Sequence, residues 1–490
     1  MRKNVVVVVS TSIAVVVVGA LIRKWKQWKE QQLRRMKQII RRFARESATP
    51  LKCLWQVADD MVTSMEDSLA ITDDSPSLNM VVSNATLLPL GDEEGFYYGV
   101  SLHGRNLLML CARLGGKNKP ISALQRQHIS IPDAVMAGSS LEINDYIAKE
   151  IAEFVSAHPE IEDSAPAKNK KLGFTLAYPV HQAMPFSVTA SEHKNANNPV
   201  RQGIMVKDLN RALTNHGMKM HVASLVDETI GGLAGGRYYN RESVVAVNLG
   251  ATTNAAYVEP AEDVASDLAQ SSNSSEQVIS MEWGNFYSPN FPSTLYDDIL
   301  DAESSDPGGR RFEKLISGDF LGEVVRQILL KLAKETALFG CRVPPKLMTP
   351  YLIRSSDMAA MHQDTSEDRE IVGEKLGEIF EIHNCCPMAR EVVAEVCDIV
   401  AERGARLAGA GIVGIIKKLG RIKNRKSVVT VEGELYEDYR IFRNYLHSGV
   451  WEMLGKDFSD NVIIEHSHGG SGTGALFLAA AQTRAHSSDS

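Results

Sequence analysis

The hydrophobic and polar positions divide the chain into stretches with different periods. Val5 to Ile22, VVVVVSTSIAVVVVGALI, is an uncharged run of eighteen residues. At about 1.5 Å per residue it reaches about 27 Å, the depth of a bilayer core. RKWKQWKEQQLRRMKQIIRRFAR follows at once, with ten basic residues and with Trp25 and Trp28 near the boundary. This order predicts a single-pass anchor that keeps the following chain on the cytosolic side. A cleaved signal peptide is the competing reading, because Val18-Gly19-Ala20 has the small residues of a cleavage site. The basic stretch predicts a helix along an anionic surface or a solvated one.

Beyond it, Leu51 to Leu69 has apolar residues at helical spacing, and LEINDYIAKEIAEFVSAH (141–158) is an amphipathic helix. FYYGVSLHG (96–104), NLLMLCARL (106–114) and LGFTLAYPV (172–180) read as strands, and IEDSAPAKNKK (161–171) as a loop. SVVAVNLGATTNAAYVE (243–259) reads as strand, tight turn and strand. SDLAQSSNSSEQ (266–277) reads as a solvated loop. Helical stretches at 321–338 and 389–419 precede the strand SVVTVEG (427–433). Hairpins followed by helices, occurring twice, predict an α/β protein of two lobes around a cleft.

Charge sharpens this division. Residues 1–46 hold twelve Lys and Arg against two Glu, so of the net −7 the rest of the chain carries −17. An acidic body excludes nucleic acid as its partner. Cys53, Cys111, Cys341, Cys385, Cys386 and Cys397 show no metal-type spacing, which predicts reduced cysteines and no metal site of their own.

Three glycine-bearing turns follow strands, at SLHGRN (101–106), NLGATTN (248–254) and VEGEL (431–435), and HGGSGTG (468–474) precedes a helix. Several such turns around one cleft would collect backbone amides around phosphates. LVDETIGGLAGGRYYN (225–240), NLGATTNAAYVE, SMEWGNF, LDAESSDPG and the closing glycine segment resemble the hexokinase family, in order and at family spacing, over residues 47–480. With the anchor in front, the chain most resembles the membrane-anchored plant hexokinases and their hexokinase-like relatives. The resemblance implies an actin-like ATPase (hexokinase) fold behind an N-terminal transmembrane anchor. It implies residues 1–46 as anchor and basic helix, 47–240 as the small lobe, 241–480 as the large lobe and 481–490 as a disordered tail.

The resemblance also implies roles. In the family a catalytic Asp takes the proton of the sugar 6-hydroxyl as it attacks the γ-phosphate of ATP-Mg; here that position is Glu228, preceded by Asp227 where the family has Asn. Asn254, Glu282 and Glu303 match sugar-gripping residues, with Asp227 beside them. Gly104, Arg105, Asn106, Thr253, Gly433, Gly470 and Ser471 match the phosphate and nucleotide segments. The departures are concentrated in the site. Ala177 stands for a Ser, and Lys194-Asn195 for a Thr-Lys pair. The family's Asp-Leu-Gly-Gly-Thr-Asn becomes Ser101-Leu102-His103-Gly104-Arg105-Asn106, which removes a metal-organising carboxylate and puts an imidazole where a phosphate needs bare backbone. Arg105 either attracts an anion or merely occupies the cleft. Thr252 replaces a turn glycine, Glu434 adds negative charge after Glu432-Gly433, and Gly469 replaces an Asp.

Three functions fit these residues. The first is a hexokinase-like protein with weak or no catalysis, acting in glucose sensing at a membrane. The second is an active ATP:hexose 6-phosphotransferase of glycolysis. The third is a tethered scaffold without ligand. The expected ligands are glucose or another hexose and ATP-Mg, both held weakly or not at all. The anchor through residues 5–22 implies the mitochondrial outer membrane.

Overall fold

The computed structural model describes residues 27–70, 78–85, 87–116, 119, 121–158, 170–176, 199–264 and 275–488. The apolar run 5–22, Ala177, Lys194, Asn195 and the side chain of Ser471 lie outside the described residues. Among the described residues no helix is long and apolar enough to cross a membrane. The chain forms two compact units. One comprises the described part of Met1–Ala48 with Pro292–Ser304 and Leu321–Arg403; the other comprises Thr49–Phe291, Ser305–Phe320 and Gly404–Ser490.

The larger unit holds two sheets built to one plan. In the first, β2 (Glu94–His103), β3 (Asn106–Gly115) and β4 (Ser122–Ser130) form an antiparallel meander, and β5 (Lys170–Leu176) and β6 (Met220–Asp227) join β2 in parallel, giving the order β4-β3-β2-β5-β6. In the second, β7 (Ser243–Leu249), β8 (Thr253–Pro260) and β9 (Glu276–Ser280) form the meander, and β10 (Ser427–Glu432) and β11 (Val462–His466) run parallel to β7. The short β1 (Val81–Val82) closes its far edge. The expected recurrence of hairpins is therefore real. β9 begins at Glu276, inside the stretch expected as loop, because Val278 and Ile279 are buried in the sheet while Glu276 pairs with Pro260.

Two helices join the sheets, Glu228–Tyr239 and Gly470–Ser488. Residues 231–236, Gly-Gly-Leu-Ala-Gly-Gly, are poor helix formers, yet residues 228–238 are all buried in a helix. Their glycines serve proximity. A Cβ on Gly474 would lie 1.7 Å from the Gly231 carbonyl oxygen, and one on Gly236 would lie 2.2 Å from Thr430 Oγ1. Gly173 meets the same limit, 1.7 Å from the Ala475 carbonyl oxygen. The backbones touch, so tertiary packing overrides propensity. Tyr238 stacks on Phe477 with centroids 3.9 Å apart. The C-terminal helix continues through residues 481–488, expected as a tail. Ala481 and Gln482 are buried, and Gln482 donates to the Leu87 carbonyl.

On its outer side the first sheet covers an apolar core with the helices Ser140–Ala157 and Pro199–Asn215. A capping box, Ser139 with Glu142, starts the former.

In the smaller unit, residues 27–46 form a helix. Met36, Ile39, Ile40 and Phe43 are buried, with Phe43 edge-on to Tyr296 at 5.6 Å, while Arg35 pairs with Glu335 at 2.8 Å. The basic helix therefore contributes to a core and is more than a surface strip. Arg403 donates to both oxygens of Asp297, each at 2.7 Å. Of the described cysteines, Cys111 and Cys397 are buried and none is bonded to another.

Candidate functional site

The ends of β2, β6, β7 and β10 carry the residues that the sequence singles out. Parallel strands in such sheets present their carboxyl ends to ligands. β6 ends at Asp227, and Glu228 begins the next helix, so the two adjacent acids part company. Asp227 is the helix N-cap: its Oδ1 accepts from Thr229 N at 2.9 Å and Ile230 N at 3.1 Å. Burial pushes its carboxyl up, against the Ser280 hydroxyl and the Ile230 and Thr229 amides that favour the charged form. Ser280 Oγ in turn accepts from Asn254 Nδ2 at 3.0 Å, and Asn254 Oδ1 accepts from Ala255 N at 2.8 Å. Asn254, Ser280 and Asp227 thus form one buried polar chain.

Glu228 is 4% exposed, and both its oxygens are engaged. Asn248 Nδ2 donates to Oε1 at 2.5 Å, and His103 Nδ1 lies 3.1 Å from Oε2. Opposite a carboxylate that nitrogen carries the hydrogen and donates it. The hydrogen bond to Glu228 holds the His103 imidazole above its usual pKa, against some loss of solvation and with help from the charges of Glu228 and Glu434. The side chain that replaces a phosphate-turn glycine thus closes onto the carboxylate at the base position.

The hairpin joining β2 to β3 turns at Gly104 and Arg105, with His103 opposite Asn106. Gly104 has φ +58°, the first central position at which a II′ turn demands glycine. Arg105 directs its guanidinium to Asp133 at 2.5 Å and to Ser130 Oγ at 3.1 Å. In the second hairpin Thr253 is fully buried. Its hydroxyl donates to the Asn248 carbonyl at 2.8 Å and accepts from Trp283 Nε1 at 2.9 Å. The carbonyls of Gly250 and Ala251 accept from Gly318 N and Asp319 N.

Gly433, at φ +103°, abuts this hairpin so closely that a Cβ would lie 2.5 Å from the Leu249 carbonyl. Burial, reinforced by Glu434, pushes the Asp319 carboxyl up. Gly469 and Gly470 both have positive φ ahead of the C-terminal helix, and the Glu432 carboxylate faces Gly470. Glu282 sits at φ +50°, a left-handed conformation unusual for a side-chain-bearing residue, and accepts from Asn285 Nδ2 at 3.3 Å. Glu303 belongs to the smaller unit, where it ends the helix Leu295–Glu303 and accepts from Gln327 Nε2 at 3.1 Å.

Sequence models of the hexokinase family match residues 39–238 and 244–481. Hexokinase-1 of Spinacia oleracea is 41% identical over 494 residues, covering 99% of each chain, and Hexokinase-1 of Nicotiana tabacum 42% identical over 474 residues, covering 95% of each. The chain belongs to the hexokinase family. Among solved structures, the hexokinase of Schistosoma mansoni complexed with glucose superposes with a TM-score of 0.75 at 26% identity, covering 91% of this chain and 99% of that one. The actin-like ATPase fold of hexokinases accounts for the paired sheets, and plant hexokinases are its relatives over nearly the full chain.

Hexokinases use ATP with magnesium. The first glycine turn is open, with no atom within 4 Å of a Cβ built on Gly104, whereas Gly433 is packed against Leu249. Among the described residues no three His, Cys, Asp or Glu side chains converge to hold an ion, whereas magnesium carried by a nucleotide needs only one or two carboxylates besides the phosphates. Any magnesium would come bound to the nucleotide. Asn248 and Ser280, which hold the two acids, were not singled out as site residues. Their only sequence signal was their place inside NLGATTN and SMEWGNF.

Proposed function

We propose that this hexokinase binds a hexose, glucose foremost, but transfers phosphoryl groups to it poorly, and that it acts in glucose sensing at a membrane. The observation that carries this reading is the engagement of Glu228 by Asn248 and His103. A general base must reach the attacking hydroxyl at about 2.6–3.2 Å with a free lone pair. The two bonds fill only about two of the carboxylate's four lone-pair sites. At 4% exposure, however, Glu228 reaches a hydroxyl only by turning away from Asn248 or His103, at about 1.5–3 kcal/mol for each charge-assisted bond lost. Glu228 is also one methylene longer than the Asp of the family, and a misplacement of about 1 Å can cost about a hundredfold.

The sugar-side chemistry is better kept. Glu282 keeps its carboxylate, which supports hexose recognition, while the Asn254 amide is fully buried and bonded to Ser280 Oγ and Ala255 N, so it supports the site from behind. ATP-Mg is held weakly, since Ser101 has no carboxylate for the metal and Glu434 adds negative charge. Residues 5–22 serve as the anchor, with the mitochondrial outer membrane as host and the body in the cytosol. The second reading, an active ATP:hexose 6-phosphotransferase, is favoured by identities of 41–42% to proteins named hexokinases. A coupled glucose-phosphorylation assay separates them: the first reading expects turnover far below the ordinary kinase range of about 1–100 s⁻¹, and a rate within it selects the second.

A further inference from the structure

A cavity of about 460 Å³ opens between the helix Leu51–Leu69, the end of the helix Pro387–Lys418 with its following loop, and the end of the helix Arg440–Phe458. It shares no residue with the site above. Two glycines shape it. Gly420, at φ +65°, ends the long helix, with Arg421 N returning to the Ile416 carbonyl at 3.2 Å. Gly455, at φ 67° and ψ 178°, kinks the other helix. Gly420 lines the cavity, and no atom lies within 4 Å of a Cβ built on it, so the turn after the helix leaves space unfilled.

The walls are apolar, formed by Trp55, Ile422, Leu454 and Phe458. Among the described residues, the charged side chains lining the cavity are two lysines. Lys417 Nζ lies 2.5 Å from Asp59 and 5.8 Å from the centre of the Trp55 ring, so its charge is offset and its position fixed. Lys423 is exposed and has no ion pair among the described residues, which leaves the mouth with one uncompensated positive charge. Ligand pockets run from about 300 to 1,000 Å³, mostly apolar with a few polar groups that fix orientation. An apolar chamber with a cation at its rim matches an apolar body with an anionic head.

We propose that this cavity binds an amphipathic carboxylate, a medium-chain acyl anion, with its chain against Trp55, Leu454 and Phe458 and its carboxylate at Lys423. Met453, which also lines the space, can adapt to the chain. The chamber is too small for a folded peptide.

The test is calorimetric titration of the full chain with sodium octanoate and, separately, with uncharged 1-octanol. The expected result is one saturable octanoate site, with octanol weaker by about tenfold or more. Lys423→Glu alters only an exposed side chain and should weaken octanoate by about tenfold. Met453→Trp adds volume inside the chamber and should abolish binding while the chain remains folded by circular dichroism. Absence of saturable octanoate binding overturns the proposal. So does an affinity that Lys423→Glu leaves unchanged, or equal binding of octanol. Capture on phosphatidylserine vesicles through Lys423, without octanoate binding, would assign the lysine to a lipid surface instead and would also overturn it.

Discussion

Glu228→Asp restores the residue type found at the catalytic position of the family, and the structure predicts that it restores no activity. Shortening the side chain by one methylene draws the carboxylate back by about 1.5 Å. The bond from Asn248, 2.5 Å in the structure, opens to about 4 Å, and the one from His103, 3.1 Å, to about 4.6 Å, both beyond hydrogen-bonding reach. Asn248 is buried, and its stranded amide costs about 1–3 kcal/mol. The bond at the exposed His103 adds less, because water replaces it. The variant should therefore melt lower by about 1–3 °C and still phosphorylate glucose at the wild-type level. The hairpin would keep Ser101, His103 and Arg105, and groups that act as a unit are not repaired singly. Differential scanning calorimetry and a coupled assay read both quantities. Turnover in the range of about 1–100 s⁻¹ from Glu228→Asp alone would refute the reasoning, as would an unchanged melting temperature.

Further outcomes follow from other contacts. His103 titrates above its usual value because Glu228 accepts from it. The stability it adds is therefore full below about pH 6.5 and fades as pH rises through the raised value. The melting-temperature gap between wild type and His103→Gln should shrink over that rise, and a gap that widens would be contrary. Arg403→Met strands a buried carboxylate at Asp297 and should destabilise by about 3–5 kcal/mol, seen in urea unfolding. Gly474→Val drives a side chain into the Gly231 carbonyl and should cost at least about 1–3 kcal/mol or leave the chain insoluble. Removing residues 1–46 takes away Met36, Ile39, Ile40 and Phe43, each buried at about 1.5–3 kcal/mol. A chain starting at 27 should stay soluble where one starting at 47 aggregates in size-exclusion chromatography.

Where the period of the sequence is local, the fold was legible. The hairpins 96–114 and 243–259, the helix at 141–158, found at Ser140–Ala157, and the long helix at 389–419, found at Pro387–Lys418, all follow from spacing. β4 was not legible, because it lies at a sheet edge with nearly every side chain exposed, so SALQRQHIS shows no alternation of burial. The glycine-rich helix after Asp227 was hidden for the opposite reason. Its glycines answer chiefly to Gly474 and Thr430, far away in sequence. The site divides in the same way. Motif residues such as Asp227, Glu228 and Asn254 could be placed from their order alone. That Asn248 and His103 would hold Glu228, and Ser280 link Asn254 to Asp227, depends on pairings across strands that only folding creates.

The central claim, a hexose site without an effective base, meets its most direct test in one calorimetric titration of glucose into the full chain in the presence of ATP-Mg. The account predicts saturable heats of binding, each returning to the starting baseline because phosphoryl transfer is too slow to displace it. A baseline displaced for as long as glucose and ATP remain would mean turnover, with Glu228 working as a base despite Asn248 and His103. No heat at any glucose concentration would mean that Glu282, backed by Asn254, holds no sugar. Either result contradicts the account.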